Sequence, residues 1–493
     1  MSRESVLPVL GLQGRGAAVV AGGRAFSYED LRRSSAGAAQ ALLKGADDLN
    51  EARVAILAPP GFSYVAALWG VWRAGGVAVP LGVMHPPAEW SYTLEDSGAD
   101  VIICHAEFEA ALRPVAQGRR VLPADAWADA AAATLPALTP ARRALMLYTS
   151  GTTSKPKGVV TTHGNIEAQA RSLAEAWEWS ARDRILHVLP LHHIHGVVNV
   201  LVCAMRAGAV CEFMPFEAEA VWERFSQGGL TLFMAVPTIY SRLAAAWDAA
   251  PAERRREWSR ACRNMRLMVS GSAALPVSML DRWRNISGHT LLERYGMTEI
   301  GMAISNPLRG ERRPGSVGTP LPGVEVRLAD ETGSPPAEGQ PGEIEVRGAN
   351  VFLEYWRRPE ATAAAFRDGW FRTGDVAVFE NGAYRILGRA STDIIKTGGY
   401  KVSALETEEV LREHPAIAEC AVVGAEDADW GERVCAAVVL KPGAALTLEE
   451  LRAWAKQRLA AYKVPSRLAV TADLPRNAMG KVVKPEVKKL FEA

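Results

Sequence analysis

Short apolar segments alternate with amphipathic segments along the first part of the chain. The apolar run at residues 53–58 is closed by Pro59, Pro60 and Gly61, and helical spacing then follows over residues 64–74. The same order recurs, with strands predicted at 100–104, 184–191, 230–237 and 266–271 and helices at about 217–228, 237–247 and 276–285. Strands that are apolar throughout are typical of parallel sheets covered on both faces. The pattern therefore predicts an α/β fold built from stacked sheets.

The pattern changes beyond about residue 310. Gly- and Pro-rich stretches there separate the short alternating runs VEVRL and EIEVRG, which predict a small antiparallel β unit. From about residue 390 the chain has its own sequence of elements, with a helix at 404–413, strands at 419–423 and 434–440, a helix at 448–459 and a polar tail strand. We expect a large N-terminal domain over residues 1–389 and a small α+β domain over 390–493.

Composition narrows the classes of function. The 493 residues include 56 Lys and Arg against 55 Asp and Glu, so the formal net charge is +1. Proteins that bind nucleic acids or anionic membranes usually carry a basic excess, and we predict neither kind of partner. The N-terminus is too polar for a secretory signal, no long uninterrupted apolar stretch is present, and we expect a cytoplasmic protein. The six cysteines lack CxxC spacing and are predicted to be reduced core residues.

The segment LMLYTSGTTSKPKGVV, residues 145–160, carries the first candidate chemistry. An apolar strand there runs into a loop dense in hydroxyls, glycines and lysines, which are the donors and cations that hold a polyphosphate. The Walker A pattern GxxxxGK[ST] is absent from the chain. On composition alone, a solvated and flexible linker explains the loop equally well.

Further motifs along the chain favour a phosphate-binding loop over a solvated linker. The loop is followed by RYGMTE at 294–299, WFRTGD at 370–375, GR at 388–389 with DIIKTGG at 393–399, and PRNAMGK at 475–481. Together they resemble the acyl-adenylate-forming superfamily over essentially the whole chain. The segments LPLHHIHGVVN, FMAVPTIY and GHTLLERYGMTEIGMA are similar to its malonyl-CoA synthetase branch.

This resemblance implies a two-step reaction. A carboxylate attacks the α-phosphate of ATP to give an acyl-adenylate and pyrophosphate, and the thiol of coenzyme A then displaces AMP, with Mg²⁺ masking phosphate charge. By the resemblance, the nucleotide-binding residues are Thr149, Ser150, Gly151, Thr152, Thr153 and Lys157 for the phosphates, Gly271, Ser272, Ala273, Tyr295 and Gly296 for adenine, and Asp375 and Arg389 for ribose. Thr298 is expected at the α-phosphate, and Glu299 with Thr152 at the metal ion.

The C-terminal domain is expected to act as a mobile lid. In the superfamily, the lysine at the position of Lys481 bridges the carboxylate and the α-phosphate in the first step, and Gly398, Gly399 and Lys401 are expected at coenzyme A in the second. The lid must rotate between the steps, and the hinge lies among residues 390–393, with Thr392 the best alignment. Two departures from the superfamily pattern are Ser154 in place of a usual glycine and one extra residue in the stretch 389–393.

The acyl pocket is predicted from Arg294, which directly precedes the adenine-stacking tyrosine. An enclosed guanidinium without a counter-charge is costly, and a second carboxylate on the substrate would satisfy it. We therefore expect a short dicarboxylic acid, malonate with methylmalonate second, held by Arg294 with His195, or else His193, beside Met302. The alternative pairing, Arg294 with Glu293 or another acid at the surface, stays open here.

Three other functions compete with this one. They are a short- or medium-chain monocarboxylate CoA ligase of the same fold, an enzyme that loads amino acids onto a carrier protein, and a non-catalytic nucleotide-binding module. The segment HIHGVVNVL has no acid for an amino group, and Glu299, Asp375 and Lys481 argue against loss of catalysis. Three histidines in four positions do not match metal-ligand spacing. Beyond its small-molecule substrates, we expect a monomer or a homodimer.

Overall fold

The computed structural model describes residues 11–125, 127, 135–149, 155–427, 429–476 and 482–492. In the N-terminal part the strands are β1 (Ala17–Ala21), β2 (Arg24–Ser27), β3 (Arg53–Leu57), β4 (Val77–Pro80), β5 (Val101–Cys104), β6 (Arg120–Pro123), β7 (Arg143–Thr149), β8 (Lys157–Thr162), β9 (Arg184–His187), β10 (Val210–Phe213), β11 (Leu232–Ala235), β12 (Leu267–Ser270), β13 (Leu292–Met297), β14 (Gly301–Ser305) and β15 (Thr319–Pro320). They continue with β16 (Val324–Ala329), β17 (Gly342–Gly348), β18 (Glu354–Tyr355), β19 (Phe366–Arg367), β20 (Trp370–Glu380), β21 (Ala383–Arg389), β22 (Ile394–Thr397), β23 (Tyr400–Ser403), β24 (Ile417–Asp427), β25 (Gly431–Leu440) and β26 (Arg467–Val470).

The α-helices over the same residues are α1 (Tyr28–Leu43), α2 (Phe62–Arg73), α3 (Pro87–Ser97), α4 (Glu109–Ala116), α5 (His163–Ala176), α6 (Cys203–Ala207), α7 (Ala218–Ser226), α8 (Pro237–Ala249), α9 (Ala252–Cys262), α10 (Val277–Ser287), α11 (Pro359–Ala364), α12 (Ala404–Arg412), α13 (Leu448–Ala455) and α14 (Lys484–Lys488). A π-helix over His195–Val202 leads directly into α6.

Two large sheets form the N-terminal body. One has the described order β15-β14-β13-β12-β11-β9-β10-β1-β2, and the other β18-β8-β7-β4-β3-β5-β6. The predicted apolar strands pair in parallel inside them, as β3 with β5 and β11 with both β9 and β12. The α/β prediction is confirmed, and the apolar strands are buried along most of their length.

Two smaller sheets follow. Strands β16, β17, β20, β19 and β21 pair antiparallel, which confirms the predicted β unit. The last sheet has the order β23-β22-β25-β24, with β26 parallel to β25. The tail carries the short strand β26 and also α14, which the sequence pattern does not reveal because five residues are too few to show a helical period.

Local capping explains where several helices begin. At α5, the Thr162 hydroxyl accepts from the Asn165 N–H at 3.1 Å, and the Asn165 side chain accepts from the Thr162 N–H at 2.9 Å. Thr447 and Glu450 make the same reciprocal pair at α13. Such pairs satisfy first-turn donors that have no partner inside the helix. The cap at α5 fixes the helix that directly follows the candidate phosphate loop and β8.

Two further observations concern the state of the cysteines and the hydropathy of the helices. All six cysteines are free and buried, which confirms their assignment to the core. Of the helices in the described residues, none combines the length and the hydropathy that crossing a membrane requires.

A tryptophan cluster stabilises the first large sheet on one face. The Trp222 ring stacks on Trp258 at 5.3 Å and on Trp283 at 5.6 Å between ring centroids, which joins α7 to α9 and α10. The Trp222 indole N–H donates to the Leu243 carbonyl at 2.9 Å. All three rings are fully buried, so their packing sets much of the stability of this region.

We expect Trp222→Ala to lower the free energy of unfolding by about 3–5 kcal/mol, because it leaves a large cavity in a rigid cluster. Urea titration followed by circular dichroism measures the change. Trp430→Ala is the control, since Trp430 is 47% exposed, and it is expected to cost less than about 1 kcal/mol. Equal losses in the two variants would contradict this account of the core.

Candidate active site

A tight antiparallel hairpin at the end of the first large sheet carries the central motif. Strand β13 pairs with β12 on one side and with β14 on the other, and the turn between β13 and β14 holds Thr298 and Glu299. At Gly296 a Cβ atom would lie 1.9 Å from the Gly301 carbonyl oxygen, so a side chain there would force the strands apart. The glycine therefore allows the close approach that places the turn beside the strand.

The residues expected at adenine and ribose lie together. The Tyr295 hydroxyl donates to Asp375 Oδ2 at 2.6 Å. Arg389 donates to the same oxygen through Nη2 at 3.2 Å, and its Nε lies 3.0 Å from Oδ1. Burial raises the pKa of the Asp375 carboxyl, while Arg389 and Tyr295 oppose that shift. A carboxylate held at both oxygens presents a fixed acceptor for a pair of hydroxyls.

Glu299 lies in a second polar cluster that contains a residue the sequence analysis missed. The Tyr355 hydroxyl donates to Glu299 Oε1 at 2.9 Å, and Lys157 Nζ lies 5.3 Å from the Tyr355 ring centroid. Burial is the main cause that raises the pKa of Glu299. Tyr355 belongs to β18, which pairs with β8 directly after Lys157. None of the recognised motifs includes this tyrosine.

The two ends of the phosphate loop face each other. Thr149 at the end of β7 pairs with Lys157 at the start of β8 in an antiparallel ladder. Thr149 and Lys157 are thus brought together with the Tyr355 and Glu299 cluster. Ser150, Gly151, Thr152, Thr153 and the departure at Ser154 lie outside the described residues, as does Lys481.

Arg294, His195 and Ser272 form one buried polar wall. Arg294 Nη2 donates to Ser272 Oγ at 3.4 Å, and that oxygen lies 3.3 Å from His195 Nδ1. Arg294 Nε and His195 Nε2 are buried and have no hydrogen-bond partner among the described residues. Burial lowers the pKa of Arg294 to about 9. It also lowers the pKa of His195 well below its ordinary value, with the charge of Arg294 as the second cause.

Gly271 has a specific steric role in this wall. A Cβ atom there would lie 2.4 Å from the Arg294 guanidinium carbon, so the glycine makes room for the arginine. We expected Gly271, Ser272 and Ala273 to form a surface for adenine, and the described contacts also place Gly271 and Ser272 against Arg294. Ser272 is itself at φ +70°, an uncommon conformation for a residue other than glycine.

The alternative pairing of Arg294 with Glu293 is not found. Adjacent residues on β13 point to opposite faces of the sheet. Glu293 is buried on the other face, where burial raises the pKa of its carboxyl to about 8 and the nearby charge of Glu409 adds to the shift. Among the described residues no carboxylate forms an ion pair with Arg294, which is only 4% exposed. The surface-exposed alternative is therefore wrong for the described part of the chain.

His195 opens the π-helix, which positions it toward Ser272. A Cβ atom at Gly196 would lie 2.2 Å from the Pro190 carbonyl oxygen, and the Gly196 carbonyl contacts His187 Nε2 at 3.0 Å. π-helical turns are rare and are frequent at functional sites. Over the described residues, no group of three or more His, Cys, Asp or Glu side chains is arranged to hold a metal ion.

Met302 belongs to β14, the second strand of the hairpin. Its side chain is buried, and its N–H donates to Gln169 Oε1 at 2.8 Å. The same amide oxygen would lie 1.9 Å from a Cβ atom at Gly301, so Gln169 fits against a glycine. Gln169 on α5 is a second residue that the sequence analysis missed, because only the folded chain brings α5 beside β14.

The residues expected at coenzyme A lie on the hairpin of β22 and β23. Gly398 and Gly399 have φ values of +54° and +84°, which glycine adopts readily. Lys401 Nζ forms an ion pair with Glu331 Oε1 at 2.9 Å. No described hydrogen bond or ion pair joins this hairpin to Arg294 or Asp375.

The longer stretch 389–393 forms a closed turn between β21 and β22. The Asp393 N–H donates to the Arg389 carbonyl at 2.8 Å, and Asp393 Oδ2 accepts from the Arg389 N–H at 3.0 Å. The turn closes on itself, and both neighbouring strands keep their pairing.

Comparisons with known proteins agree with this geometry. The family model for AMP-binding enzymes matches residues 12–356, and the model for the C-terminal domain of AMP-binding enzymes matches residues 406–481. The mitochondrial malonate–CoA ligase ACSF3 of Mus musculus is 49% identical, with 90% of this chain and 82% of that protein covered. A malonate–CoA ligase of Arabidopsis thaliana is 41% identical, with 96% and 86% covered.

Solved structures give the same result. ATP-bound MatB from Rhodopseudomonas palustris aligns with a TM-score of 0.89 at 32% identity, over 99% of both chains. A malonyl-CoA ligase complex with methylmalonyl-CoA and AMP aligns with a TM-score of 0.70 at 37% identity, over 96% of this chain and 100% of that one.

The raised pKa of Glu293 predicts a pH-dependent stability. Below about pH 4.5, Glu293 is protonated in both the folded and the unfolded protein. As the pH rises from there towards about 8, the unfolded protein releases this proton first, so the free energy of unfolding falls. We expect wild-type stability to fall relative to Glu293→Gln between pH 5 and pH 8 by about 2–4 kcal/mol. Urea titrations of both proteins across that range measure the difference. Parallel pH profiles would show that Glu293 ionises normally in the folded protein.

Proposed function

The chain belongs to the AMP-binding enzyme family, and we propose that it ligates malonate to coenzyme A at the expense of ATP, releasing AMP and pyrophosphate. Malonate–CoA ligases are among its relatives over most of both chain lengths. The observation that carries the proposal is the buried guanidinium of Arg294, which has no carboxylate partner among the described residues.

Arg294 explains the choice of a dicarboxylic acid. A guanidinium removed from water is unfavourable unless a counter-charge satisfies it. The distal carboxylate of malonate supplies that charge and accepts two hydrogen bonds in the geometry that arginine favours. His195 is held neutral by burial, so it offers a hydrogen bond without repelling the arginine. An alkyl chain in the same place would leave the guanidinium unpaired, which argues against the monocarboxylate alternative.

The length of the acid is limited by the fixed position of the guanidinium. A side chain at position 271 would overlap the Arg294 guanidinium, so this position must be glycine. On one side, the guanidinium donates a hydrogen bond to the Ser272 hydroxyl. Methylmalonate keeps the spacing between its two carboxylates and is proposed as a second substrate. Succinate is one methylene longer and is proposed to react poorly.

The nucleotide is proposed to bind across the two polar clusters. Asp375, held by Tyr295 and Arg389, receives the ribose hydroxyls, and Tyr295 with Gly296 faces adenine. Thr149 and Lys157 hold the phosphates from the two ends of the loop, with Ser150, Gly151, Thr152 and Thr153 proposed between them, and Thr298 lies at the α-phosphate.

The Glu299 cluster suits a magnesium ion. Its buried carboxylate is a hard oxygen ligand, and Tyr355 fixes one of the two oxygens. Glu299, with Thr152, is proposed to hold Mg²⁺, which when bound neutralises phosphate charge. The contribution of the chain itself is positioning, because Tyr355 orients Glu299 and Lys157 lies on the same ring.

Two domains are proposed to share the reaction. The body, residues 1–389, binds ATP and the acid, and the lid, residues 390–493, supplies Lys481 for the first step. Lys481 is proposed to neutralise the carboxylate and the α-phosphate as they combine. The lid then rotates about the turn 390–393, with Thr392 as the proposed hinge, and Gly398, Gly399 and Lys401 receive the pantetheine arm of coenzyme A.

The proposal also covers the partners, the cellular location and the oligomeric state of the protein. The substrates are small molecules, and a cytoplasmic location with a monomeric or homodimeric state stays our prediction from the sequence. The names of the vertebrate relatives place those proteins in mitochondria.

An acid panel tests the substrate. We expect malonate to be activated at least tenfold better, in kcat/KM, than propionate, octanoate or benzoate in a pyrophosphate-release assay. In Arg294→Met the advantage of malonate is expected to fall by about 100-fold, because a buried charged pair is lost. Arg312→Gln is the control, since Arg312 is partly buried but donates to the Thr290 and Leu308 carbonyls. A preference for octanoate or benzoate that Arg294→Met spares would refute the proposal.

The role of Lys481 is tested by separating the two steps. In Lys481→Ala we expect malonate-dependent exchange between ATP and pyrophosphate to fall by at least about 100-fold. Formation of malonyl-CoA from supplied malonyl-adenylate is expected to stay within about threefold of wild type. Lys489→Ala is the control, since Lys489 is exposed on the same tail and pairs with Glu486. Equal loss of both steps in Lys481→Ala would contradict the assigned role.

A further inference from the structure

Glu409, on the first helix of the lid, contacts the body at the start of α10. Its Oε1 atom accepts a hydrogen bond from the Val277 N–H at 2.8 Å. Its Oε2 atom pairs with Arg412 on the same helix at 3.0 Å. The carboxylate is therefore fixed from within the lid while it binds the body.

The bond satisfies a donor that the body leaves open. Val277 is the first residue of α10, and Pro276 before it provides no side-chain cap. The first N–H groups of a helix have no partner within it, and a negative charge beside them is favourable. Since α10 is eleven residues long, it has a full set of first-turn donors, and the lid supplies the cap that its own sequence lacks.

Val277 also ends the loop that carries part of the acyl pocket. The loop at residues 271–276 begins with Gly271 and Ser272 and leads directly into α10. Ser272 lies between His195 and Arg294 and has a positive φ, so its position depends on how the loop is held at both ends. Strand β12 holds one end, and Glu409 binds the other.

The lid helix α12 also lies near strand β13. The charge of Glu409 acts on Glu293, which directly precedes Arg294 on β13. Glu409 thus lies at the start of α10 and near Glu293, on the face of β13 opposite Arg294.

We infer that Glu409 is a positioning residue that couples the lid to the acyl pocket, by capping α10 and holding Ser272 beside Arg294 during adenylate formation. The inference rests on the proposed function and adds a role for the lid in binding the acid. When the lid turns for the thiol step, the bond to Val277 is broken, and the distal carboxylate of the adenylate is held less firmly.

The test compares two substitutions at Glu409. In Glu409→Ala, we expect the KM for malonate in ATP–pyrophosphate exchange to rise about tenfold, while the KM for ATP changes by less than about twofold. Glu409→Gln keeps an oxygen that can accept from Val277, and its KM for malonate is expected within about threefold of wild type. Glu413→Ala is the matched control, because Glu413 is exposed at the end of the same helix.

The thiol step is measured separately. Malonyl-adenylate is formed on each enzyme at saturating ATP and malonate and then mixed with coenzyme A in a single turnover. Because the bond is absent in the rotated state, Glu409→Ala is expected to form the thioester at a rate within about twofold of wild type.

Several outcomes would overturn the inference. They are equal rises of the KM values for ATP and malonate, equal losses in both half-reactions, or a Glu409→Gln variant as impaired as Glu409→Ala. Absence of malonate-dependent exchange in the wild-type enzyme would instead refute the proposed function. In that case the same comparison is made with the acid that the wild type activates, and an unchanged KM for that acid would overturn the role of Glu409.

Discussion

The proposed acyl pocket is organised around a guanidinium that the protein encloses and that has no carboxylate partner among the described residues. Arg294 is 4% exposed, contacts the Ser272 hydroxyl and requires a glycine at position 271. Burial lowers the pKa of Arg294, because this environment disfavours the charged form. Because the arginine remains charged near neutral pH, the free energy of its burial is recovered only when an anion binds. This is the basis on which we propose that the pocket selects acids with a second carboxylate.

Close backbone approaches bring this group to the nucleotide clusters. Gly296 allows β14 to lie against β13, so one short hairpin carries Arg294, Tyr295 and Glu299, which we propose to bind three different parts of the substrates. Gln169 fixes the hairpin from behind through the Met302 N–H. The distances between the acid, the ribose and the metal ligand are therefore set by a rigid element of the sheet. Such rigidity suits a reaction that depends on positioning and electrostatic stabilisation.

The sequence predicts the architecture well and the site in part. Apolar strands and motif order are local signals, and they correctly predict the parallel sheets, the small β unit and the grouping of Tyr295, Asp375 and Arg389. Tyr355, Gln169 and Glu409 could not be predicted in this way, because each acts through a contact with a residue distant in the chain and none belongs to a recognised motif. The sequence alone also left two partners open for Arg294, the substrate and Glu293. The structure excludes Glu293, because the alternation of side chains along β13 turns it to the opposite face.

A crystal structure with malonate and a non-hydrolysable ATP analogue tests the central claim most directly. We predict that the distal carboxylate of malonate lies within hydrogen-bond distance of the Arg294 guanidinium and the Ser272 hydroxyl, with the other carboxylate directed at the α-phosphate. A malonate whose distal carboxylate lies away from Arg294, or an Arg294 that pairs with a carboxylate of the protein, would contradict the account.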